Sequence, residues 1–390
     1  MKFLAKLIVT NMLFLSGLAS AEDVKPFEIR FCPAAQVRTF PLESGRNVHS
    51  LLLQNVAIVS HAITLAEVVA VDIELLSSAT AVDTRRFAGT DLMRLAAKGP
   101  KLQESGMLHM LAFQFCGSAL IADGIVLAGP TLAPGQALLL PQQPFAFQGV
   151  RDALLVRAHL KIDGRDLEIA STIKIATEFS KTSFRFPLKG AWFAAVGPTM
   201  HTGHRWARPE EFAYDIAKLG QDDLSHRASG TRFQDYYAYS AQVIAAADGI
   251  VIAAVNDQPE NAKLLRRPSE PADVYDKRMH EIQGELLSKG VTGIAGNYVM
   301  IDHGNSEYSL YAHLQPGSVR VKIGEHIKVG ASLGKLGTSG NSTEPHLHFQ
   351  VCDAPDALFC SGIPVQFQNV TLPYADYPRP LQSGDVLIAE

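Results

Sequence analysis

The sequence predicts an all-β protein in two parts: a β-sandwich-like N-terminal domain, then an antiparallel β-sheet domain with one partly helical insertion. Three observations carry this. Short apolar runs separated by Gly, Pro and Asp recur along most of the 390 residues. In the cleanest runs, apolar and polar residues alternate with a period of two, which sets one face of a strand in a core and the other in water. One stretch, 256–290, shifts to helical spacing. The length suits two or three domains, and 47% hydrophobic against 19% charged residues is a globular composition. A formal net charge of -4 gives no reason to expect nucleic acid as a partner.

Taken in order, residues 1–21 read as a signal peptide. Lys2 and Lys6 precede the apolar "LIVTNMLFLSGLA", and the small residues "ASA" at 19–21 place the cut after Ala21. The apolar core is too short for a membrane anchor and is broken by Thr10, Asn11 and Ser16. No later segment is apolar enough to span a bilayer, so an exported protein, periplasmic or extracellular, is expected. Four cysteines suit an oxidising compartment, and their spacing favours disulfides Cys32–Cys116 and Cys352–Cys360. None sits in a CxxC pair, which argues against a zinc ribbon or a thioredoxin-like site.

Residues 22–187 form the sandwich-like domain. Its clearest unit is "ALLVRAHLKIDGRDLEIASTIKI": Leu154, Val156, Ala158, Leu160 and Ile162 alternate with Arg157, His159 and Lys161. Asp163-Gly164 marks a hairpin turn, and Leu167, Ile169, Ile173 and Ile175 resume the apolar face. His49, His61, His109 and His159 are isolated, and read as structural or surface residues. "FRFPLKGAWFAAVGP" (184–198) is the join. The second domain, 188–390, runs through "AQVIAAADGIVIAAV", "GNYVMIDHG", "EYSLYAHL" and "PHLHFQV". In the 256–290 insertion, Val274, Arg278/Met279, Ile282 and Leu286 recur at helical spacing and Gly290 is a plausible stop. "HEIQG" at 280–284 begins like a zinc-binding HExxH but lacks its second histidine.

Candidate chemistry lies in the histidines of this second domain. In "PHLHFQV" a strand sets His346, His348 and Gln350 on one face, two residues apart at roughly 6–7 Å, with Leu347, Phe349 and Val351 on the other. One face can enter a core while both imidazoles point into a cleft. On the preceding hairpin, Ser309, Tyr311 and His313 share a face by the same parity, and His303 sits at the turn as a solvated or capping residue. A metal-activated water needs ligands for the ion plus unligated acid–base groups.

At this point the stretch from "NYVMIDHG" to "PHLHFQV" resembles the β-sheet core of the lysostaphin-type (LytM-like) zinc metalloendopeptidases. The likeness rests on "YAHL", on "GTSGNSTEPHLHF" and on the "VKIGEHIKVG" run before it. It covers roughly 210–352 without the insertion. It implies an exported hydrolase, with zinc as cofactor, that cleaves peptide bonds in cell-wall peptidoglycan. It also implies that His348 is a metal ligand, and that His313 and His346 are the unligated pair that orient the water and stabilise the oxyanion. The family's other two ligands come from a His-x-x-x-Asp pattern. Here "EFAYDIA" supplies Asp215, but Glu211 stands where the histidine belongs. Either Glu211 itself ligates or His204, in "MHTGHRWA", folds back beside Asp215. His201 begins an "HTG" that mimics the pattern, with Arg205 in the aspartate's place. The alternative is a catalytically degenerate domain of the same fold that binds peptidoglycan or regulates another cell-wall hydrolase.

Overall fold

The computed structural model describes residues 25–43 and 45–390, so the expected signal peptide lies outside the described residues. The principal N-terminal strands are β1 (Phe27–Cys32), β2 (Gln36–Glu43), β3 (Val48–Ser60), β4 (Ala66–Ser77), β5 (Thr80–Ala88), β6 (Gln136–Gln148), β7 (Ala153–Ile162) and β8 (Arg165–Ala176). The hairpin read from the alternating sequence is β7–β8, with Ile162 opposite Arg165. Its turn residues Asp163 and Gly164 both take positive φ, +49° and +75°, the backbone of a primed hairpin turn.

The sheet order is β5-β4-β7-β8-β2-β3-β6, and β1 pairs with the later half of β3, on the edge whose first half pairs with β2. Strand β2 carries the sheet over on itself, pairing parallel with β8 and antiparallel with β3. Leu51, Val56, Ile58 and Leu138 from one half therefore share a core with Val71, Ile73, Val156 and Ile173 from the other. That is the sandwich-like arrangement the alternation predicts.

A helical excursion between β5 and β6 is not legible in the alternation. It contains α1 (Gly89–Ala96) and α2 (Lys98–Glu104), both short and without side-chain caps. The excursion covers the outer face of β3 and β6, where Phe115 and Leu120 pack on Ala57, Val59 and Leu139. This explains why β3 is buried on both faces. The expected Cys32–Cys116 disulfide pins the excursion to the end of β1, at a Cα separation of 5.8 Å.

The C-terminal sheet contains β9 (Gly190–Val196), β10 (Tyr214–Ala217), β11 (Gly249–Val255), β12 (Asn297–Asp302), β13 (Tyr308–Leu314), β14 (Leu347–Cys352) and β15 (Val386–Ala389). They run in the antiparallel order β11-β12-β13-β14-β10-β9-β15. Leu347, Phe349 and Val351 lie in the core, as alternation requires, together with Phe184, Phe186, Trp192 and Tyr311. The expected Cys352–Cys360 disulfide closes the end of β14. His303 differs from its expected solvated role. It is half-buried, with Nδ1 at 2.6 Å from the Asp248 carbonyl, Nε2 at 2.6 Å from Ser309 Oγ, and its ring edge-on to Phe184.

The insertion is partly helical, as expected, with α3 (Ala272–Leu287) and α4 (Gly290–Ala295). Its apolar stripe is looser than the spacing implies: Met279 is buried but Val274 is half exposed. Gly290 opens α4 rather than ending α3. Two further glycines fix the loop after β13 against α4. Gly296 and Gly340 have φ of +65° and +75°, and a Cβ on either would collide with backbone of the facing segment. This close approach seats Ser339, whose Oγ accepts from the Asn297 amide at 2.8 Å and donates to the Leu314 carbonyl at 2.7 Å. Gly340→Ala should therefore destabilise the protein by at least about 1 kcal/mol, since Ala is strained at positive φ. A lowered urea midpoint checks this, and an unchanged one would show that the approach is slack.

Candidate metal centre

Three neighbouring strands build the site. Asp215 on β10 stands directly opposite His348 on β14, and His348 stands opposite Ala312 on β13. Opposite residues share a face, so the Asp215 carboxylate and the His348 ring emerge together on the side away from the core. His348 Nδ1 lies 3.0 Å from Asp215 Oδ1.

His313 reaches this face by a route that period-two reasoning misses. Parity would group it with Ser309 and Tyr311, yet Tyr311 is in the core and His313 lines the cleft. The pairing explains the correction: Asn297 opposes Leu314 and Val299 opposes Tyr311, so β13 carries one extra residue between these pairs. His313 takes a φ of +62° there. A bulge of this kind re-aims the side chain and costs on the order of 1–3 kcal/mol for a non-glycine residue. The His313 and His346 ring centroids end 4.7 Å apart.

Glu211 and His204 lie in different surroundings. His204 Nε2 lies 3.4 Å from Asp215 Oδ2, and the His204 ring is edge-on to His348 at 5.0 Å. Candidate ligand atoms of His204, Asp215 and His348 all fall within 4.8 Å of one another. Glu211, the alternative to His204, is not among them. Its carboxylate accepts from Arg205 Nη1 at 2.7 Å and from Gln54 Nε2 at 3.2 Å, in the buried contact with the N-terminal domain. The tight turn 208–213 is the cause, because it directs Glu211 inward while its neighbour Glu210 lines the cleft. Burial pushes the Glu211 carboxyl up to about 7, against the opposing pull of Arg205 and Gln54. Arg205 occupies an aspartate position of the family pattern but serves as this carboxylate's buried partner. His201 is exposed.

Hydrogen bonds fix three of the four rings. His348 Nε2–H donates to Gln350 Oε1 at 2.8 Å, and Nδ1–H donates to Asp215 Oδ1 at 3.0 Å, so Nδ1 is the nitrogen a metal ion would take in exchange for that proton. The Gln350 amide itself donates to the Ala357 carbonyl, so its oxygen must face the ring. His313 Nδ1–H donates to the Ser339 carbonyl at 2.8 Å, and His346 Nδ1–H to the Glu344 carbonyl at 2.7 Å. A carbonyl can only accept, so Nε2 of both rings is the basic nitrogen. His346 Nε2 lies 3.4 Å from Asp215 Oδ1.

Asp215 is thus a part-buried carboxylate facing three imidazoles and no lysine or arginine among the described residues. Burial alone would raise its pKa, but His204, His346 and His348 outweigh that and hold it well below the usual carboxylate range. Burial opposes charge on His348 too, yet the bond to Asp215 and its charge lift the ring to about 9. Burial, with the neighbouring rings of His346 and His348, holds His313 well below the ordinary imidazole value. One carboxylate and two imidazoles converging without a fixed cation form a donor set that fits a zinc ion with an open fourth position. The cleft over these groups encloses about 300 Å³. Its far wall comes from the insertion and the segment after it, through Gln283, Val291 and Ile294. Sequence reasoning gave no role to Glu210, to Gln350 as an anchor, or to Ser339 and Glu344, whose backbone carbonyls carry no residue-type signal.

The antiparallel sheet thus gathers Asp215, His313, His346 and His348 in one cleft, and the turn before β10 adds His204. A family model described as Peptidase family M23 matches residues 281–358, and over that segment the chain carries an M23 domain of the lysostaphin type. The match holds His313, His346 and His348, while His204 and Asp215 lie before it. Over 81 residues the chain is 37% identical to the peptidoglycan DD-endopeptidase ShyA of Vibrio cholerae, covering 21% of this chain and 17% of that protein. Over 114 residues it is 37% identical to the DD-carboxypeptidase/endopeptidase Mpg of Neisseria meningitidis, covering 27% and 24%. The chain thus spans less than a quarter of the length of these curated relatives. The catalytic domain of the antimicrobial peptidase lysostaphin from Staphylococcus simulans aligns with 45% of this chain and 88% of its own, at 15% identity and a TM-score of 0.24.

Proposed function

We propose that this protein is an exported zinc metalloendopeptidase that hydrolyses peptide bonds in bacterial cell-wall peptidoglycan, acting in the periplasm or outside the cell. The observation that carries the reading is the convergence of His204, Asp215 and His348 within 4.8 Å, beside two further imidazoles. The M23 match and the peptidoglycan endopeptidases among its relatives support the substrate class, and the Lys2/Lys6 leader pattern supports export.

His204, Asp215 and His348 would hold a zinc ion, which when bound would supply a Lewis acid for the scissile carbonyl and lower the pKa of a water. The protein's own part is proton handling. His313 and His346 each present a basic Nε2 to the cleft, held in that tautomer by a backbone carbonyl on Nδ1. They take the proton of the attacking water and return it to the leaving amine. The apolar wall at Val291 and Ile294 limits bulk water around these groups.

His348→Ala should lose bound zinc. His346→Ala and His313→Ala should keep it and lose activity by about a hundredfold to ten-thousandfold, the usual worth of a positioned acid–base group. Equal metal content in the His346 and His348 variants would sink this division of roles. One observation favours a second reading, a degenerate domain that binds peptidoglycan or regulates another hydrolase: Glu211 stands at the family's first ligand position. Stoichiometric zinc in the parent but none in His204→Ala would remove that argument.

A further inference from the structure

His348, His313 and His346 each have one ring nitrogen anchored by an oxygen acceptor. His204 does not: its Nδ1 is buried without a hydrogen-bond partner. With no anchor on the ring, the direction of Nε2 depends on the short turn His204–Trp206 that carries it. The N-terminal domain grips that turn. Gln142 Nε2, on β6, donates to the Trp206 carbonyl at 2.6 Å. Gln54 Nε2, on β3, reaches the Arg205 carbonyl at 3.5 Å as well as Glu211. The Arg205 guanidinium is fully buried, pairs with Glu211 and reaches the Ser50 carbonyl at 3.5 Å. It also lies over the Phe212 ring at 4.6 Å, and Phe212 packs against Phe40 of β2.

We propose that Gln54 and Gln142 are positioning residues of the metal centre, so that the N-terminal domain completes the centre by holding the His204 turn in place. The proposal rests on the zinc reading above. A ligand on an unheld turn must be ordered when the ion binds, and that ordering weakens affinity. Sequence pattern alone would assign this domain no part in the chemistry, since neither glutamine touches the cleft.

The test is zinc affinity of the full-length protein, by competition with a chromophoric chelator. The variants are Gln142→Ala, Gln54→Met/Gln142→Ala, and Gln382→Ala as a matched control. Gln382 Nε2 also bridges the domains, to the Leu42 carbonyl at 2.8 Å, but does not touch the His204 turn. The double variant should bind zinc about 10–100-fold more weakly, as loss of an outer partner to a metal ligand does, with its circular dichroism unchanged. Gln142→Ala should shift the same way by less, and Gln382→Ala should match the parent. If the double variant does not fold, Gln142→Ala decides by the same criterion. Parent-like affinity in the Gln54 and Gln142 variants overturns the proposal. So does an equal loss in Gln382→Ala, which would mark general loosening of the domains. A parent that binds no zinc overturns the functional reading itself, a result distinct from variants that match a zinc-binding parent.

Discussion

His204→Ala should leave the full-length protein without stoichiometric zinc and without peptidase activity, whereas Glu211→Gln should retain both. His204 is the only side chain that supplies a second imidazole nitrogen beside Asp215 and His348 in the clustered donor set. Its loss leaves two ligands, and the affinity should fall further than the about 10–100-fold that removal of an outer partner costs. Glu211 is absent from the cluster, so Glu211→Gln should keep zinc and activity even though it removes the partner charge of buried Arg205 and lowers stability. Metal analysis of the two purified variants checks the pair. Zinc retained in His204→Ala and lost in Glu211→Gln would exchange their roles.

Glu211→His restores the family's His-x-x-x-Asp spacing and should nevertheless damage the protein. The carboxylate it removes is the partner of Arg205, whose side chain is fully buried. Removing one member of a buried pair strands the other charge and costs about 3–5 kcal/mol. Arg205→Met/Glu211→Leu, which removes both charges, should recover much of that loss, because apolar replacement of a whole buried pair is often neutral. Urea midpoints compare the variants. A Glu211→His protein as stable as the parent and more active would return position 211 to the metal shell.

Much of this centre is legible in the residues themselves. Alternation in "PHLHFQV" gives the cleft face of His346 and His348, and in "ALLVRAHLKI" the buried face of β7, because both strands are regular. The disulfides follow from four cysteines in a chain read as exported. The argument fails wherever local regularity does. His313 sits at a bulge, so parity assigns it to the wrong face. Helices α1 and α2 are too short for their spacing to stand out, and the covering they provide is a tertiary fact. Glu211 and His204 are equal candidates by spacing alone. Their separation depends on Gln54, 157 residues away from Glu211 in sequence, which no local pattern connects to them.

The most direct test is zinc content of the purified full-length protein, with release of new amino groups from peptidoglycan measured before chelation, after chelation and after zinc is restored. The account predicts one zinc per chain, and amine release that stops on chelation and returns with zinc. A metal-free protein, or amine release unaffected by chelation, would contradict it.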